Sequence, residues 1–191
     1  MFILVSGASG SGKSTIISRV LKQFEGKIAL LPSSTSRAKR EGEVEGESYF
    51  YLTREEFEAA IAREEFIEYQ KVHANGNYYG VHRGRFEDYN KRFPMLIKDV
   101  DVLGVQSIVS QGFDVVTIYI DVPDNGALRE RLRLRGDSAE EIDLRMARKE
   151  FEDGFKEKYD YVVENRDIEK ATKSVISIIK KECKKRKIVL K

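Results

Sequence analysis

The sequence is short of cysteine, histidine and long hydrophobic runs, and each shortage argues against a class of protein. Cys183 is the one cysteine among 191 residues, so an intramolecular disulfide is excluded and nothing points to an oxidising compartment. The histidines, His73 and His82, have no carboxylate or cysteine at metal-ligand spacing, and we interpret both as loop residues. No apolar run approaches transmembrane length, and the opening MFILV is too short for a signal-peptide core. These features predict a cytoplasmic protein that does not bind membranes.

An excess of charge of one sign is also missing. The 34 basic and 32 acidic side chains leave a net charge of +2, whereas a dedicated nucleic-acid binder normally carries a large basic excess. Hydrophobic residues make up 41% of the chain and charged residues 35%, which is typical of a folded globular protein. The balance leaves room for a local basic cleft, and we infer neither nucleic acid nor an obligate protein partner.

Short apolar runs alternate with amphipathic helical stretches along most of the chain. This alternation predicts βαβ units, and hence an α/β fold whose mainly parallel sheet is covered by helices on both faces. The predicted strands cover residues 2–6, 28–31, 49–52, 66–70, 78–81, 95–101, 114–122 and 159–164. The predicted helices cover residues 16–24, 53–63, 83–91, 103–110, 125–134, 139–155 and 168–184.

Residues 33–82 interrupt this alternation with short, closely spaced strands. We predict that they form a small inserted mixed-β lobe. The α/β core would then comprise residues 1–32 and 83–191, with an arginine-rich helical lid at about residues 125–150.

A glycine-rich loop directly follows the first predicted strand, and its sequence GASGSGKS fits the phosphate-loop pattern G-x-x-x-x-G-K-[ST]. Glycines let the backbone wrap around phosphate oxygens, and the positive end of the following helix adds to the attraction. Lys13 would reach the outer phosphates, and Ser14 would offer its hydroxyl to Mg²⁺. The ATP-binding residues predicted here are Gly7, Ala8, Ser9, Gly10, Ser11, Gly12, Lys13, Ser14 and Thr15. The loop predicts a P-loop NTPase-type core.

Residues 33–50, SSTSRAKREGEVEGESYF, are rich in groups that can hold a phosphate monoester. Arg37 and Arg40 lie three residues apart after a run of hydroxyl residues, and guanidinium forks and hydroxyls suit this chemistry. Glu43 and Tyr49 add a hydrogen-bond acceptor and an aromatic hydroxyl. A solvated, turn-rich loop would explain the same charges, so the segment alone leaves both interpretations open.

Together with the phosphate loop, this segment resembles the guanylate kinase family, and the resemblance runs in family order from about Phe2 to Cys183. The other matching segments are FIEY (66–69), similar to the guanine-reading strand, GNYYG (76–80), DVDVLG (99–104), RLRLRG (131–136) with Arg145, and YDYVVEN (159–165). The resemblance implies a P-loop nucleoside monophosphate kinase. Such an enzyme transfers the γ-phosphoryl group of ATP to GMP or dGMP and uses Mg²⁺.

The resemblance also implies an acceptor site in the predicted lobe and at the neighbouring strand end. Its GMP-binding residues would be Ser33, Arg37, Arg40, Glu43, Tyr49, Glu68, Tyr79, Asp99 and Asp101. Glu68 would read guanine, because one carboxylate can accept from N1–H and the 2-amino group together, and adenine lacks that donor pair. Asp99 or Asp101 would reach Mg²⁺ through water, alongside Ser14.

The arginines of the predicted lid are implied to close over the triphosphate and to neutralise charge on the transferring phosphoryl group. They are Arg131, Arg135, Arg145 and Arg148, of which the first two would bind ATP. Asn165 would contact the adenine of ATP. The residues expected to act in catalysis are Lys13, Arg37, Arg131, Arg135 and Arg145.

Two features depart from the family pattern. Val81 stands where the family usually has Ser or Thr, and the HANGN turn (73–77) lengthens the connection between Glu68 and Tyr79. HANGNYYGV resembles the ribose 1,5-bisphosphate kinases as much as the guanylate kinases. One open alternative is therefore a related P-loop kinase for another monophosphate acceptor, such as ribose 1,5-bisphosphate or a different nucleotide. The other is a non-catalytic guanylate-kinase-like module that binds proteins, although the intact loop and arginines favour an enzyme.

Overall fold

The protein's structure, a computed structural model, describes residues 1–72 and 76–189. His73 and the next two residues of the HANGN turn lie outside the described residues. The strands are β1 (Phe2–Ser6), β2 (Ile28–Leu30), β3 (Ser34–Thr35), β4 (Phe50–Tyr51), β5 (Phe66–Lys71), β6 (Tyr78–His82), β7 (Met95–Asp99), β8 (Val115–Asp121) and β9 (Tyr161–Glu164). The helices are α1 (Lys13–Gln23), α2 (Arg54–Ala62), α3 (Arg83–Arg92), α4 (Val102–Ser110), α5 (Asn125–Leu134), α6 (Ala139–Asp153) and α7 (Ile168–Lys185).

A five-stranded parallel sheet in the order β2-β7-β1-β8-β9 forms the centre of the fold. Side chains alternate across β1, so Ile3 and Val5 lie in the core cluster beneath α1 and α7 while Phe2 and Leu4 pack on the side of α4. All four side chains are at most 2% exposed. Burial on both faces explains why these strands read as continuous apolar runs. The predicted α/β sheet with helices on both faces is confirmed.

The order of the parallel strands places several functional positions at one edge of the sheet. β1 pairs with β7 on one side and with β8 on the other, so the chain leaves this central strand at a point where the strand order reverses. The glycine-rich loop follows β1, and Asp99 is the last residue of β7. Open α/β sheets bind ligands in the crevice that such a reversal creates at the carboxyl ends of their strands.

Residues 34–82 contribute a second sheet in the order β4-β3-β6-β5. β3 pairs in parallel with β4 and antiparallel with β6, so the sheet is mixed. β3 is not among the predicted strands, and the strand predicted at 49–52 is reduced to Phe50–Tyr51. Two residues are too few to produce a recognisable alternation, and pairing with neighbouring strands defines them instead.

The loop assignment of His82 is wrong, because this residue ends β6 and caps α3. Its Nδ1 accepts a hydrogen bond from the Gly84 N–H at 3.2 Å, and its Nε2 lies 3.4 Å from a carboxylate oxygen of Glu65. Other shifts are small and have local causes. Asp101 caps α4, which moves the start of that helix to Val102. Over residues 1–72 and 76–189, no helix is both long and apolar enough to cross a membrane.

The start of α2 has the predicted capping box, and this allows a stability prediction. The Thr53 hydroxyl accepts from the Glu56 N–H at 3.1 Å, while the Glu56 carboxylate accepts from the Thr53 N–H at 2.7 Å. Replacing Thr53 with alanine leaves one of these donors without its partner, so urea denaturation should show about 1 kcal/mol less stability. Thr53→Ser keeps the hydroxyl and should lose less than half as much. Equal losses in the two variants would contradict a role for the cap.

Candidate active site

The glycine-rich loop after β1 curls over the amino-terminal end of α1. Gly7, Gly10 and Gly12 have positive φ angles of 142°, 82° and 90°, which side chains other than glycine rarely adopt. Space is also restricted, because a Cβ atom at Gly7 would lie 2.3 Å from the Ile120 carbonyl oxygen. The Lys13 ammonium donates to the carbonyl oxygens of Gly7 and Ala8 at 2.6 and 3.1 Å, so it lies across the loop. Loop amides, the helix end and this ammonium together form an anion-binding concavity.

Two arginines of the α5–α6 region converge on this loop. Arg135 and Arg145 each donate to the Ser9 hydroxyl, at 3.2 and 3.1 Å. Asp137 lies between them: it forms a short ion pair with Arg135 and another at 3.0 Å with Arg145. The pKa of Asp137 is lowered, chiefly by its hydrogen bond with Arg135. Asp137 therefore stays ionised and holds the two guanidinium groups beside the loop.

Arg131, predicted to act in catalysis, and Asn165, predicted to contact adenine, are bonded to each other, and Asn165 is bonded to the loop. Arg131 donates to the Asn165 carbonyl oxygen at 3.0 Å. Asn165 is 1% exposed, and its side-chain amide donates to the Ser11 carbonyl oxygen at 2.7 Å. Its backbone N–H donates to Asp121 at the end of β8, also at 2.7 Å. In this conformation Asn165 fastens the loop to the sheet, which differs from the adenine contact expected for its side chain.

On the other side of the crevice, Glu43 organises the residues predicted to hold the acceptor phosphate. Its carboxylate accepts from the Arg37 guanidinium at 2.6 Å, the Tyr51 hydroxyl at 2.7 Å and the Arg40 N–H at 2.8 Å. These bonds, that from Arg37 first, lower the pKa of Glu43 to about 2. The ionised Glu43 thus holds the Arg37 guanidinium in place through an ion pair.

Two tyrosines complete this cluster. The Arg37 guanidinium lies 5.2 Å from the centre of the Tyr49 ring, and the Tyr49 and Tyr79 rings are 5.9 Å apart in an edge contact. The Arg40 side chain is exposed, and the backbone N–H of this residue donates to Glu43. The structure thus brings together Arg37, Glu43, Tyr49 and Tyr79, with Arg40 at the rim.

A cavity of about 170 Å³ beside this cluster contains the carboxylate predicted to read a base. Its lining includes Ser33, Glu68 and Lys98. Lys98 belongs to the central sheet, and its side chain is buried, with 3% exposure. The Lys98 ammonium donates to the Ser33 hydroxyl at 2.6 Å and to the Leu31 carbonyl oxygen at 3.2 Å. Ser33 is therefore held by a buried cation, which sequence reasoning did not predict.

Glu68 and Lys98 influence each other's ionisation. Burial raises the pKa of Glu68 to about 7; the charge of Lys98 opposes this rise, and the Asp101 carboxylate reinforces it. Burial lowers the pKa of Lys98, and the Glu68 and Asp99 carboxylates oppose that change. The pair lies in a site where a charged carboxylate is costly unless it is partnered. When it is ionised, Glu68 therefore gains from accepting a donor pair that enters the cavity.

The two aspartates at the carboxyl end of β7, Asp99 and Asp101, differ in their surroundings. Asp99 keeps access to solvent, yet the protein around its carboxylate raises its pKa, while the charges of Lys13 and Lys98 act against that rise. Asp101 is the amino-terminal cap of α4, and its carboxylate accepts from the Gly104 N–H at 2.8 Å. Asp99 therefore connects the two halves of the site, because it pairs with Val5 just before the phosphate loop and lines the acceptor cavity with Lys98.

The predicted role of Arg148 is not the one that the structure gives it. Its guanidinium lies 3.2 Å from Asp101 and 3.0 Å from Glu152, so it connects α6 to the acceptor cavity instead of the phosphate loop. Sequence reasoning also missed Gln70, whose amide donates to Asp101 at 2.5 Å. Gln70 follows Glu68 by two residues on β5, and this period of two is a signal that could have identified it.

Comparison with known proteins bears on the whole chain. The family model described as guanylate kinase matches residues 1–182. Guanylate kinase of Thermotoga maritima is 35% identical over 180 residues, covering 94% of this chain and 86% of the relative. Guanylate kinase of Fusobacterium nucleatum is 38% identical over 179 residues, covering 92% of this chain and 94% of the relative.

The likeness extends to three dimensions. The crystal structure of guanylate kinase from Anaplasma phagocytophilum is similar with a TM-score of 0.70 at 31% identity, and the match covers 95% of this chain and 85% of that chain. These sequence relatives and the crystal structure are all more than 30% identical to this chain and match nearly its full length. The chain therefore belongs to the guanylate kinase family.

Proposed function

We propose that the chain is a guanylate kinase that transfers the γ-phosphoryl group of ATP to GMP, giving ADP and GDP. The observation that carries the proposal is the position of Asp99, which pairs with Val5 two residues before the phosphate loop and lines the acceptor cavity together with Lys98. A triphosphate on the loop and a monophosphate on the Arg37 cluster would therefore meet in one crevice. This arrangement suits transfer between two bound nucleotides better than hydrolysis. A cytoplasmic location and the lack of an obligate protein partner stay predictions.

The donor half of the site would bind ATP through the loop amides and Lys13. The ammonium now bonded to Gly7 and Ala8 would turn to the outer phosphates, which are stronger acceptors than carbonyl oxygens. Arg135 and Arg145, held at Ser9, lie where charge on the transferring group can be neutralised. Arg131 is fixed beside the loop through Asn165 and would add to the positive field.

The acceptor half would hold GMP at its two ends. Arg37, Tyr49 and Tyr79, with Arg40 at the rim and Ser33 on Lys98, would bind the phosphate. Glu68 would accept from N1–H and the 2-amino group of guanine. Adenine offers no such pair, and leaving a buried acceptor without its partner costs about 1–3 kcal/mol. Glu68 at one end of the site would thus select the base, and the phosphate-binding residues at the other end would orient GMP for transfer.

The residues present also fit the Mg²⁺ that a P-loop kinase of this kind uses. The Ser14 hydroxyl is exposed at the first turn of α1, and Asp99 offers a solvent-accessible carboxylate; both are the oxygen donors that Mg²⁺ prefers. Among the described residues no group of three or more Asp, Glu, His or Cys side chains forms a metal cage. Mg²⁺ commonly relies on few protein ligands together with phosphate and water. When bound, it neutralises charge on the β- and γ-phosphates.

No general base is needed for the reaction. The nucleophile is a phosphate oxygen of GMP, which is already ionised at neutral pH, so the side chains mainly orient two anions and offset their repulsion. Water would compete as an acceptor if it reached the γ-phosphate. We infer that the 33–82 lobe and the α5–α6 lid close over both nucleotides to exclude it.

A product analysis tests the proposed reaction. The protein is incubated with ATP, Mg²⁺ and GMP, and the nucleotides are separated by anion-exchange chromatography. We expect GDP and ADP to form in equal amounts, with little inorganic phosphate. Formation of ADP and inorganic phosphate without GDP would contradict the proposal, because it would show hydrolysis.

The raised pKa of Glu68 predicts a pH dependence for GMP binding. The donors of guanine need the ionised carboxylate, and with a pKa of about 7 most Glu68 side chains become protonated as the pH falls from 8 to 6. The KM for GMP should therefore rise about tenfold over this interval, since ionisation falls tenfold for each pH unit below the pKa. Phosphate groups also titrate near pH 6, so the KM for ATP serves as the internal control. Parallel changes in both KM values would contradict the assignment.

A further inference from the structure

Gln70 and Glu68 extend from the same face of β5 and line the same cavity. They are separated by one residue, and successive odd or even positions of a strand share a face. Both residues also border the adjoining, wider part of the crevice, together with Asp101 and Gly104. A base bound against Glu68 would therefore lie beside the Gln70 amide.

The Gln70 amide has a defined orientation. Its Nε2 donates to Asp101 Oδ1 at 2.5 Å, and because an ionised carboxylate can only accept, the amide nitrogen must face it. Asp101 is itself fixed by the Gly104 N–H at 2.8 Å and by Arg148 at 3.2 Å. One N–H of the amide is thus used for Asp101, and the second is available to a ligand in the cavity.

The absence of a side chain at Gly104 allows this arrangement. A Cβ atom there would lie 3.1 Å from Glu68 Oε2 and 3.3 Å from Asp101 Oδ1. Both carboxylates therefore approach the start of α4 closely, and Gln70 is bonded to that of Asp101. The cavity wall consists of an acceptor at Glu68 next to a donor at Gln70.

Guanine needs that combination. Its N1–H and 2-amino group are donors that Glu68 can accept, but the neighbouring O6 is an acceptor and needs a donor from the protein. Val81 pairs with Glu68 across the strands but is apolar and 1% exposed, so it offers none. The Lys98 ammonium directs two of its three N–H groups to Ser33 and Leu31, and the Arg148 guanidinium is anchored on Asp101 and Glu152, which leaves the Gln70 amide as the uncharged donor beside Glu68 on this wall.

We propose that Gln70 is a specificity-determining residue of the acceptor site, and that its second amide N–H donates to O6 of the bound guanine. The proposal rests on the proposed function, because it assumes a guanine nucleotide bound at Glu68. It gives this chain a base-reading pair, in which Glu68 accepts from the base and Gln70 donates to it.

The test compares GMP with 6-thio-GMP, which keeps N1–H and the 2-amino group but replaces O6 with sulfur, a weak hydrogen-bond acceptor. Steady-state kinetics are measured for the wild type, Gln70→Leu and Gln70→Glu. The exposed Gln23 on α1 provides the matched control Gln23→Leu. We expect the wild type and the control to show a KM about 5–10-fold lower for GMP than for 6-thio-GMP, the effect of one hydrogen bond. In both Gln70 variants this ratio should fall to near one, with kcat for 6-thio-GMP within twofold of the wild type.

Two results would overturn the proposal. One is an unchanged ratio in the Gln70 variants; if both KM values rise equally, Gln70 acts only by supporting Asp101. The other is a wild type that does not discriminate between the two nucleotides. The KM for ATP and the thermal unfolding temperature of each variant, compared with those of Gln23→Leu, establish that the variants are folded. Failure of the proposed function is distinguishable, because the wild type itself would then fail to phosphorylate GMP.

Discussion

Replacing Lys13 with methionine should lower kcat by about 10³-fold, the largest effect that we expect from a single substitution in this chain. Lys13 is the loop cation that would meet the charge developing on the outer phosphates, and removal of one such preorganised donor costs about 10²–10³-fold in comparable sites. Methionine preserves the length and apolar part of the side chain. The glycines that shape the loop are unchanged by the substitution, so the fold should persist without the two hydrogen bonds from Lys13.

The GMP site should be nearly unaffected by this change. Calorimetric titration with GMP should give a Kd within threefold of the wild type, because the acceptor cluster around Arg37 and Glu43 has its own ion pair. Lys22→Met, on the exposed face of the same helix, is the matched control and should retain full kcat. More than a tenth of wild-type turnover in Lys13→Met would contradict the assigned role of the loop.

Replacing Glu68 with glutamine should lower kcat/KM for GMP by about 10²–10³-fold. A glutamine side chain presents one acceptor and one donor group, so it can satisfy only one of the two donors of guanine and opposes the other with its own N–H. Hydrogen bonds to a charged group contribute about 1.5–3 kcal/mol each, and their loss affects the bound base directly. The Lys98 ammonium would also lose the negative charge that partners it.

Specificity should change together with rate. IMP lacks the 2-amino group and uses only one of the two donors, so its kcat/KM should fall less than that of GMP in the variant. Glu55→Gln, an exposed change in the first turn of α2, provides the control. An equal loss for GMP and IMP would indicate that Glu68 supports the fold of the cavity and does not read the base.

The phosphate loop could be predicted from the sequence because its chemistry is local. Glycines with positive φ, the lysine and the helix end follow one another within eight residues, so spacing alone identifies them. The central strands were predictable for a related reason: burial on both faces leaves uninterrupted apolar runs such as Phe2–Val5. The predicted strand 95–101 was too long, because β7 ends at Asp99 and Asp101 instead caps α4 with its side chain.

The acceptor cavity was less predictable because its contacts join distant parts of the chain. Lys98 interrupts a buried strand, and its partner Ser33 lies 65 residues away, so no local pattern connects them. Asn165 was expected to contact adenine, but its side-chain amide donates to the carbonyl oxygen of Ser11, which lies 154 residues earlier in the sequence. Residue types can indicate that a polar group is buried, yet which partner satisfies it depends on the packing of the sheets.

A panel of acceptors shows whether this enzyme phosphorylates guanine nucleotides in preference to other monophosphates. ADP release is measured by a coupled assay with ATP, Mg²⁺ and each of AMP, GMP, dGMP, CMP, UMP and ribose 1,5-bisphosphate. We expect a kcat/KM for GMP at least about 10²-fold above those for AMP, CMP, UMP and the ribose bisphosphate, with dGMP nearer to GMP than to these. A higher kcat/KM for ribose 1,5-bisphosphate or for a non-guanine nucleotide than for GMP would contradict this expectation, as would no turnover with any acceptor.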